Sequence, residues 1–247
     1  MKVIDEKIKL AREIIKTTNF KHAAIIMDGN RRWAKEKKLP TALGHKEGVV
    51  ALKKTLKAAD NLGVKYITVY AFSTENWKRT PEEVTFLMDL LAHTLKNELD
   101  EMHKNNIVIS FIGNIEELKP SLIEILKNAV EKTKHNTGVH LQIAFNYGSR
   151  AEIVKACKKI TQETLQGNLN IDAITEETFS KALYTGDIPE PDILIRTGGE
   201  MRISNYLLWQ IAYSELYILD CFWPDFGTKE LCDVIIDFGN RNRRWGK

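Results

Sequence analysis

The stretch His22-Ala23-Ala24-Ile25-Ile26-Met27-Asp28-Gly29-Asn30-Arg31-Arg32-Trp33-Ala34 passes from apolar residues straight into a polar turn that holds glycine and two arginines. The run His22–Asp28 reads as a strand, and the residues beyond it read as the start of a helix. Working outward, Val64–Phe72, Ile107–Ile112, Val139–Phe145, Asp192–Arg196 and Glu215–Cys221 are further short apolar runs, separated mostly by segments with helical apolar spacing. This alternation predicts an α/β fold with a mostly parallel central sheet of about six strands and helices on both faces. There is no internal repeat, and Pro189-Glu190-Pro191 reads as a stop before a strand rather than a linker. Residues 1–247 are therefore expected to form a single domain, with an N-terminal helix in 1–20 and a C-terminal helix and tail in 229–247.

Of the 247 residues, 43% are hydrophobic and 28% charged, enough for one large core with a buried pocket. No stretch reaches the roughly 18 uninterrupted apolar residues of a membrane span, and the N-terminus mixes charge with apolar residues. A cytoplasmic protein is expected, with at most peripheral membrane contact. Cys157, Cys221 and Cys232 lie too far apart for a zinc motif or a disulfide framework. The 36 basic residues nearly balance 33 acidic ones, which speaks against a nucleic-acid binder and leaves only a mild positive bias.

Ligands of open α/β sheets gather at the carboxyl ends of strands. Four strand ends carry polar, arginine-bearing segments: Asp28-Gly29-Asn30-Arg31-Arg32-Trp33, Ser73-Thr74-Glu75-Asn76-Trp77-Lys78-Arg79, Asn146-Tyr147-Gly148-Ser149-Arg150 and Arg196-Thr197-Gly198-Gly199. Guanidinium groups beside glycine-exposed N–H groups at helix starts suit phosphate or diphosphate. Neither the nucleotide P-loop nor the dinucleotide glycine fingerprint is present. Asp28 could cap the following helix, but among these arginines it reads better as a magnesium ligand, since Mg²⁺ is commonly held by one or two carboxylates plus substrate phosphates. Arg196, Arg202 and Ser204, around a glycine pair, suit a second diphosphate. Val84, Met88, Leu91, Leu95, Leu99 and Met102 form an apolar stripe that is ordinary core by itself. Next to a diphosphate site it becomes a candidate wall for an isoprenoid tunnel.

Together, HAAIIMDGNRRWA, GHKEG, YAFSTENWKR, NYGSR, DILIRTGGEMRISNYLLWQIAYSELY and the following WPDF resemble the cis-prenyltransferase family over nearly the whole chain, from about His22 to the C-terminal RRWG. The paired aspartate motifs of trans-prenyltransferases are absent. The resemblance implies an enzyme that adds isopentenyl diphosphate to an allylic diphosphate, such as farnesyl diphosphate, in repeated Mg²⁺-dependent steps to build a long polyprenyl diphosphate. It implies Asp28 and Asn76 as catalytic residues and Asp28 with Glu215 at the metal. Gly29, Asn30, Arg31, Arg32, Trp33, Thr41, His45, Ser73, Thr74, Glu75, Trp77 and Arg79 would line the allylic site and reacting pocket. Arg196, Arg202, Ile203 and Ser204 would hold isopentenyl diphosphate.

The resemblance further implies a homodimer in which Arg244 and Gly246 of the tail reach the neighbour's site, and transient contact with a membrane surface for product release. Two positions depart from the family pattern: Thr41 stands where members usually have arginine, and Met201 where histidine is common. Ala71 is small where short-chain members can carry a bulkier residue, which implies a long product. Some relatives are noncatalytic partner subunits lacking the DGN and ENW residues, but Asp28, Asn30, Glu75 and Asn76 are all present here.

Overall fold

The structure is a computed structural model, and it describes residues 2–241. Six parallel strands form one sheet in the order β3-β4-β2-β1-β5-β6. They are β1 (His22–Ile26), β2 (Tyr66–Ser73), β3 (Val108–Ile112), β4 (His140–Tyr147), β5 (Ile193–Arg196) and β6 (Glu215–Ile218). Every expected strand is present, with ends displaced by up to three residues. The helices are α1 (Lys2–Thr18), α2 (Asn30–Glu36), α3 (Thr41–Leu62), α4 (Pro81–Lys104), α5 (Pro120–Thr133), α6 (Ser149–Leu165), α7 (Glu176–Ala182) and α8 (Thr228–Asn240). Among the described residues no helix is long and apolar enough to cross a membrane.

Successive strand residues point to opposite faces, so the inner strands feed two cores. Ala23, Ile25, Ile193, Ile195, Leu141, Ile143 and Phe145 join the larger one, packed against α1, α3, α4, α5 and α8. Ala24, Ile26, Leu194, Ala144 and Tyr147 face the smaller one, closed by Tyr206, Leu207 and Ile211. Chain order moves from β1 toward β2 on one side and returns to β5 on the other, so β1 flanks the switch in connection. Ile26 pairs with both Tyr70 and Arg196, so β1 and β5 end level beside Asp28 while β2 runs three residues further, to Ser73.

Candidate active site

Two glycines let α2 and α3 meet at the end of β1. Gly29 caps α2 with φ of 109°, a left-handed conformation that side chains resist. A Cβ on Gly44 would lie 2.1 Å from the Asn30 carbonyl oxygen, so only glycine lets α3 pass this close. The spacing in GHKEG thus serves contact with the DGN turn, and it seats His45 at the same edge.

Asp28 is the centre of the arrangement. Its Oδ2 accepts from Arg196 Nη2 at 2.7 Å, and its Oδ1 lies 3.2 Å from Arg32 Nη2. Burial raises the carboxyl pKa, but the hydrogen bond and charge of Arg196, then those of Arg32, outweigh it and leave the group below its ordinary range. The carboxylate is thus ionised at neutral pH, and its side chain is 29% exposed, open to a ligand. Arg196 is only 4% exposed; it also donates through Nη1 to the Arg202 carbonyl and, at 2.7 Å, to Ser204 Oγ. Its Nε has no partner, and neither do the buried Asn30 Oδ1 and His45 Nε2. Unpaired buried polar atoms beside one cleft are costly unless a ligand satisfies them.

Two clefts meet at Asp28. One, of about 630 Å³, is lined by Gly29, Asn30, Arg31, Arg32, Thr41, His45 and Arg79, with Lys35 and Leu39. The other, of about 600 Å³, is lined by Ser73, Glu75, Asn76, Arg79, Arg196, Arg202 and Ser204, with Tyr70 and Asn205. The structure therefore brings most of the expected residues together. A third, apolar cavity of about 120 Å³ shares Met27, Asn30, His45, Ala71 and Leu87 with the second cleft. It continues along Val69, Leu141, Ile143 and Phe145 of the sheet, between α3 and α4. Of the α4 stripe, Leu91, Leu95 and Met102 line it, joined by Leu87, Leu90 and Thr94 from outside the stripe; Val84, Met88 and Leu99 pack in the core instead.

Asn76 Oδ1 accepts from the Ser73 backbone N–H at 3.2 Å, so its amide offers the cleft a donor rather than a base. Burial raises the pKa of Glu75, yet the hydrogen bond from Asn205 and those from its own turn lower it below the ordinary range. His45 is held below its usual pKa by burial first, then by the Arg79 charge, and is neutral at pH 7.

Several expected residues sit outside these clefts. Trp33 points away, its Nε1 donating to Asp225 Oδ1 at 2.8 Å with Lys37 over its ring. Trp77 donates to Asn146 Oδ1 at 2.7 Å and packs edge-on to Phe72, so it braces the turn rather than lining it. Thr74 bonds to Glu75, and Ile203 packs against the smaller core. Glu215 begins β6, paired in register with Ile193 and bonded by Arg241 Nη1 at 2.6 Å. Three residues along the strands separate that level from Arg196, roughly 10 Å. Within one chain, then, Glu215 does not share Asp28's cleft. Arg244 and Gly246 lie outside the described residues.

Sequence reading missed three polar residues. Glu83 gathers Arg79 at 2.9 Å, Arg31 at 3.6 Å and His45 Nε2 at 3.8 Å. Its spacing of four from Arg79 at a helix start was the available signal. Glu200 faces both Arg32 and Arg202. Asn205 spans two loops, donating to Glu75 Oε1 at 2.9 Å and accepting from the Arg150 N–H at 2.9 Å.

Comparison with known proteins places this geometry. A family model described as "Putative undecaprenyl diphosphate synthase" matches residues 26–246. An isoprenyl transferase of Clostridium tetani is 49% identical over 226 residues, 92% of this chain and 89% of that one. A ditrans,polycis-undecaprenyl-diphosphate synthase of Micrococcus luteus, named as specific for (2E,6E)-farnesyl diphosphate, is 46% identical over 241 residues, 95% of this chain and 97% of its own. The crystal structure of lavandulyl diphosphate synthase from Lavandula x intermedia, in complex with dimethylallyl diphosphate, superposes with a TM-score of 0.88 at 36% identity, covering 92% of this chain and 98% of that one. On sequence and fold together, the chain belongs to the undecaprenyl diphosphate synthase family of prenyltransferases.

Proposed function

We propose that this chain condenses isopentenyl diphosphate onto an allylic diphosphate, repeatedly and in cis, to give a long polyprenyl diphosphate of the undecaprenyl class, the precursor of a cell-wall lipid carrier. The observation that carries this reading is the meeting of two arginine-lined clefts at one ionised aspartate, with an apolar cavity opening from their shared wall. A noncatalytic partner subunit would have no need of all three.

The residues fit a magnesium ion of the kind bound mainly through substrate. Asp28 offers an ionised, accessible carboxylate, and no cluster of three or more acidic, His or Cys ligands stands among the described residues. Bound there with a diphosphate, Mg²⁺ would neutralise charge on the phosphoryl oxygens. Gly29 and Asn30 would present the α2 N-terminus to the allylic diphosphate, with Arg31, Arg32, His45 and Arg79 around it. Arg196, Arg202 and Ser204 would hold isopentenyl diphosphate. The allylic C–O bond then breaks toward diphosphate, the terminal alkene carbon bonds to the allylic carbon, and a proton leaves to form the new cis double bond. With its oxygen engaged by Ser73, Asn76 orients that proton by donating to a neighbouring oxygen. The departing diphosphate takes the proton.

Thr41 lines the first cleft where the family usually has arginine, and Lys35 and Arg31 supply cationic charge there. Met201 is 88% exposed and lines neither cleft. The direct test is incubation with farnesyl diphosphate, isopentenyl diphosphate and Mg²⁺ followed by mass analysis of products. A ladder ending near ten isoprene units is expected; no product, or one condensation only, defeats the reading.

Arg202→Ala is expected to raise the apparent KM for isopentenyl diphosphate roughly ten- to a hundredfold, and that for the allylic substrate much less, because a guanidinium–phosphate pair costs roughly 1.5–3 kcal/mol to remove. Initial-rate kinetics with each substrate varied in turn check it, and equal effects would mean that the two sites are exchanged.

The dimer is also part of this proposal. β6 is an edge strand; Leu216 on it and Tyr213 just before it are 49% and 70% exposed. A two-fold contact there would cover this edge, giving Glu215 and the tail with Arg244 and Gly246 a neighbouring chain's site to serve. Mixing Asp28→Asn chains with Arg244→Ala chains, each inactive alone, should restore about a quarter of wild-type sites if the tail acts in trans. No recovery after confirmed subunit exchange rejects the shared site. Product release to a lipid surface completes the proposal, since the product's long apolar tail is insoluble in water.

A further inference from the structure

α3 and α4 wall the apolar cavity opposite the sheet, and they approach each other at two places, of which only the second is hydrogen-bonded. Near the clefts His45 Nε2 lies 3.8 Å from Glu83 Oε1. Further down, Lys53 Nζ donates to Glu98 Oε2 at 2.6 Å and to Glu101 Oε2 at 2.9 Å. From residue 45 to 53 α3 advances about 12 Å, whereas α4 advances about 22 Å from residue 83 to 98. Helix tilt and the reach of the long Lys53, Glu98 and Glu101 side chains span this difference. Between the two approaches, Val49 and Leu52 of α3 and Leu90, Leu91, Thr94 and Leu95 of α4 line the cavity.

Lys53 is the one side chain of the lining that is charged at neutral pH. An ammonium group at an apolar wall is unfavourable unless paired, and two carboxylates of α4 hold it at the rim. The three side chains are 36%, 31% and 56% exposed, so the pairing is solvated, weak and able to open thermally.

We propose that Lys53, Glu98 and Glu101 form an electrostatic latch between α3 and α4 across the lower part of the cavity, making Lys53 a further determinant of product length. The inference rests on the prenyltransferase reading for its occupant. While the latch is shut, the lower gap resists the growing tail. When it opens, α4 moves from α3 and the tail advances or leaves.

The test uses the full-length protein with Lys53→Glu, which turns attraction into repulsion, and with the exchanged triple variant Lys53→Glu, Glu98→Lys, Glu101→Lys. A fluorescent long-chain fatty acid serves as cavity probe. Lys53→Glu is expected to raise the probe's entry and exit rates about two- to fivefold, the range that solvated pairs supply. The exchanged variant should return them toward wild type, and raising salt should move wild-type rates toward those of Lys53→Glu. With the two diphosphates, Lys53→Glu should also lengthen the product ladder by one or two isoprene units. Unchanged probe rates in Lys53→Glu whose circular dichroism and Tm match wild type overturn the latch; so does failure of the exchanged variant to restore them. An inactive wild-type protein would instead overturn the prenyltransferase reading, and the probe rates would still decide whether the gap is latched.

Discussion

Replacing Asp28 by asparagine is expected to lower turnover roughly a thousandfold, the equivalent of about 4 kcal/mol of transition-state stabilisation. Asn is the sharper choice over Ala because of Arg196. That guanidinium is 4% exposed and makes its shortest carboxylate contact to Asp28 Oδ2 at 2.7 Å. Asp28→Ala would leave a buried charge without its counter-ion and would cost stability, on the order of 3 kcal/mol. Asn keeps an acceptor for Arg196 while removing the negative charge that a metal requires. Single-turnover rates with Mg²⁺, set beside the Tm of both variants, separate the two effects. Near-normal turnover in a folded Asp28→Asn protein sinks the metal assignment.

The pH dependence follows from the same contacts. The folded pKa of Asp28 is depressed, so the stability it contributes is fully present above the unfolded value and is lost as pH falls through the folded one. Turnover that depends on its charge should hold down through pH 5 in wild type. An acid limb centred near pH 6 in the free enzyme would have to come from another group.

Strand existence was plain in the sequence because each apolar run is short and ends in a polar, glycine-bearing turn. The strand ends were less so. β1 stops at Ile26 because the Asp28 N–H turns back to the Ile26 carbonyl at 2.9 Å and leaves the ladder. β4 runs on to Tyr147 because β2 shifts register between Tyr70 and Ser73, which extends the pairing as far as Ser73 with Tyr147. The diphosphate residues were legible because arginine, glycine and Asp28 stand beside one another in the chain. Glu200 and Asn205 were not, since their partners Arg32 and Glu75 are 168 and 130 residues away. Trp33 and Trp77 also lie within the site motifs, but what the sequence does not show is that their indole N–H groups are engaged by Asp225 and Asn146.

Ala71→Leu is expected to move the product ladder from about ten isoprene units to about four, because a block of this kind acts on every later step of elongation. Ala71 lines both the second cleft and the apolar cavity, beside Met27 and Leu87, so its methyl group stands where a tail must pass from one to the other. The cavity holds only about 120 Å³, and the three carbons that leucine adds narrow the passage whether they lie in it or at its mouth on the cleft side. Forcing a chain past such a group costs typically 1–3 kcal/mol. That slows each affected condensation about 5- to 150-fold, while the first condensations, whose tails stop short of the block, proceed. Short products should therefore accumulate with little loss of initial isopentenyl incorporation, a pattern that general damage to the site would not give. Radiolabelled isopentenyl diphosphate with chromatographic separation of the products reads both quantities at once. An unchanged ladder would mean that the tail leaves the clefts by another route, and a uniform fall in all products would mean that leucine disturbs Leu87 and the reacting pocket rather than the passage behind it.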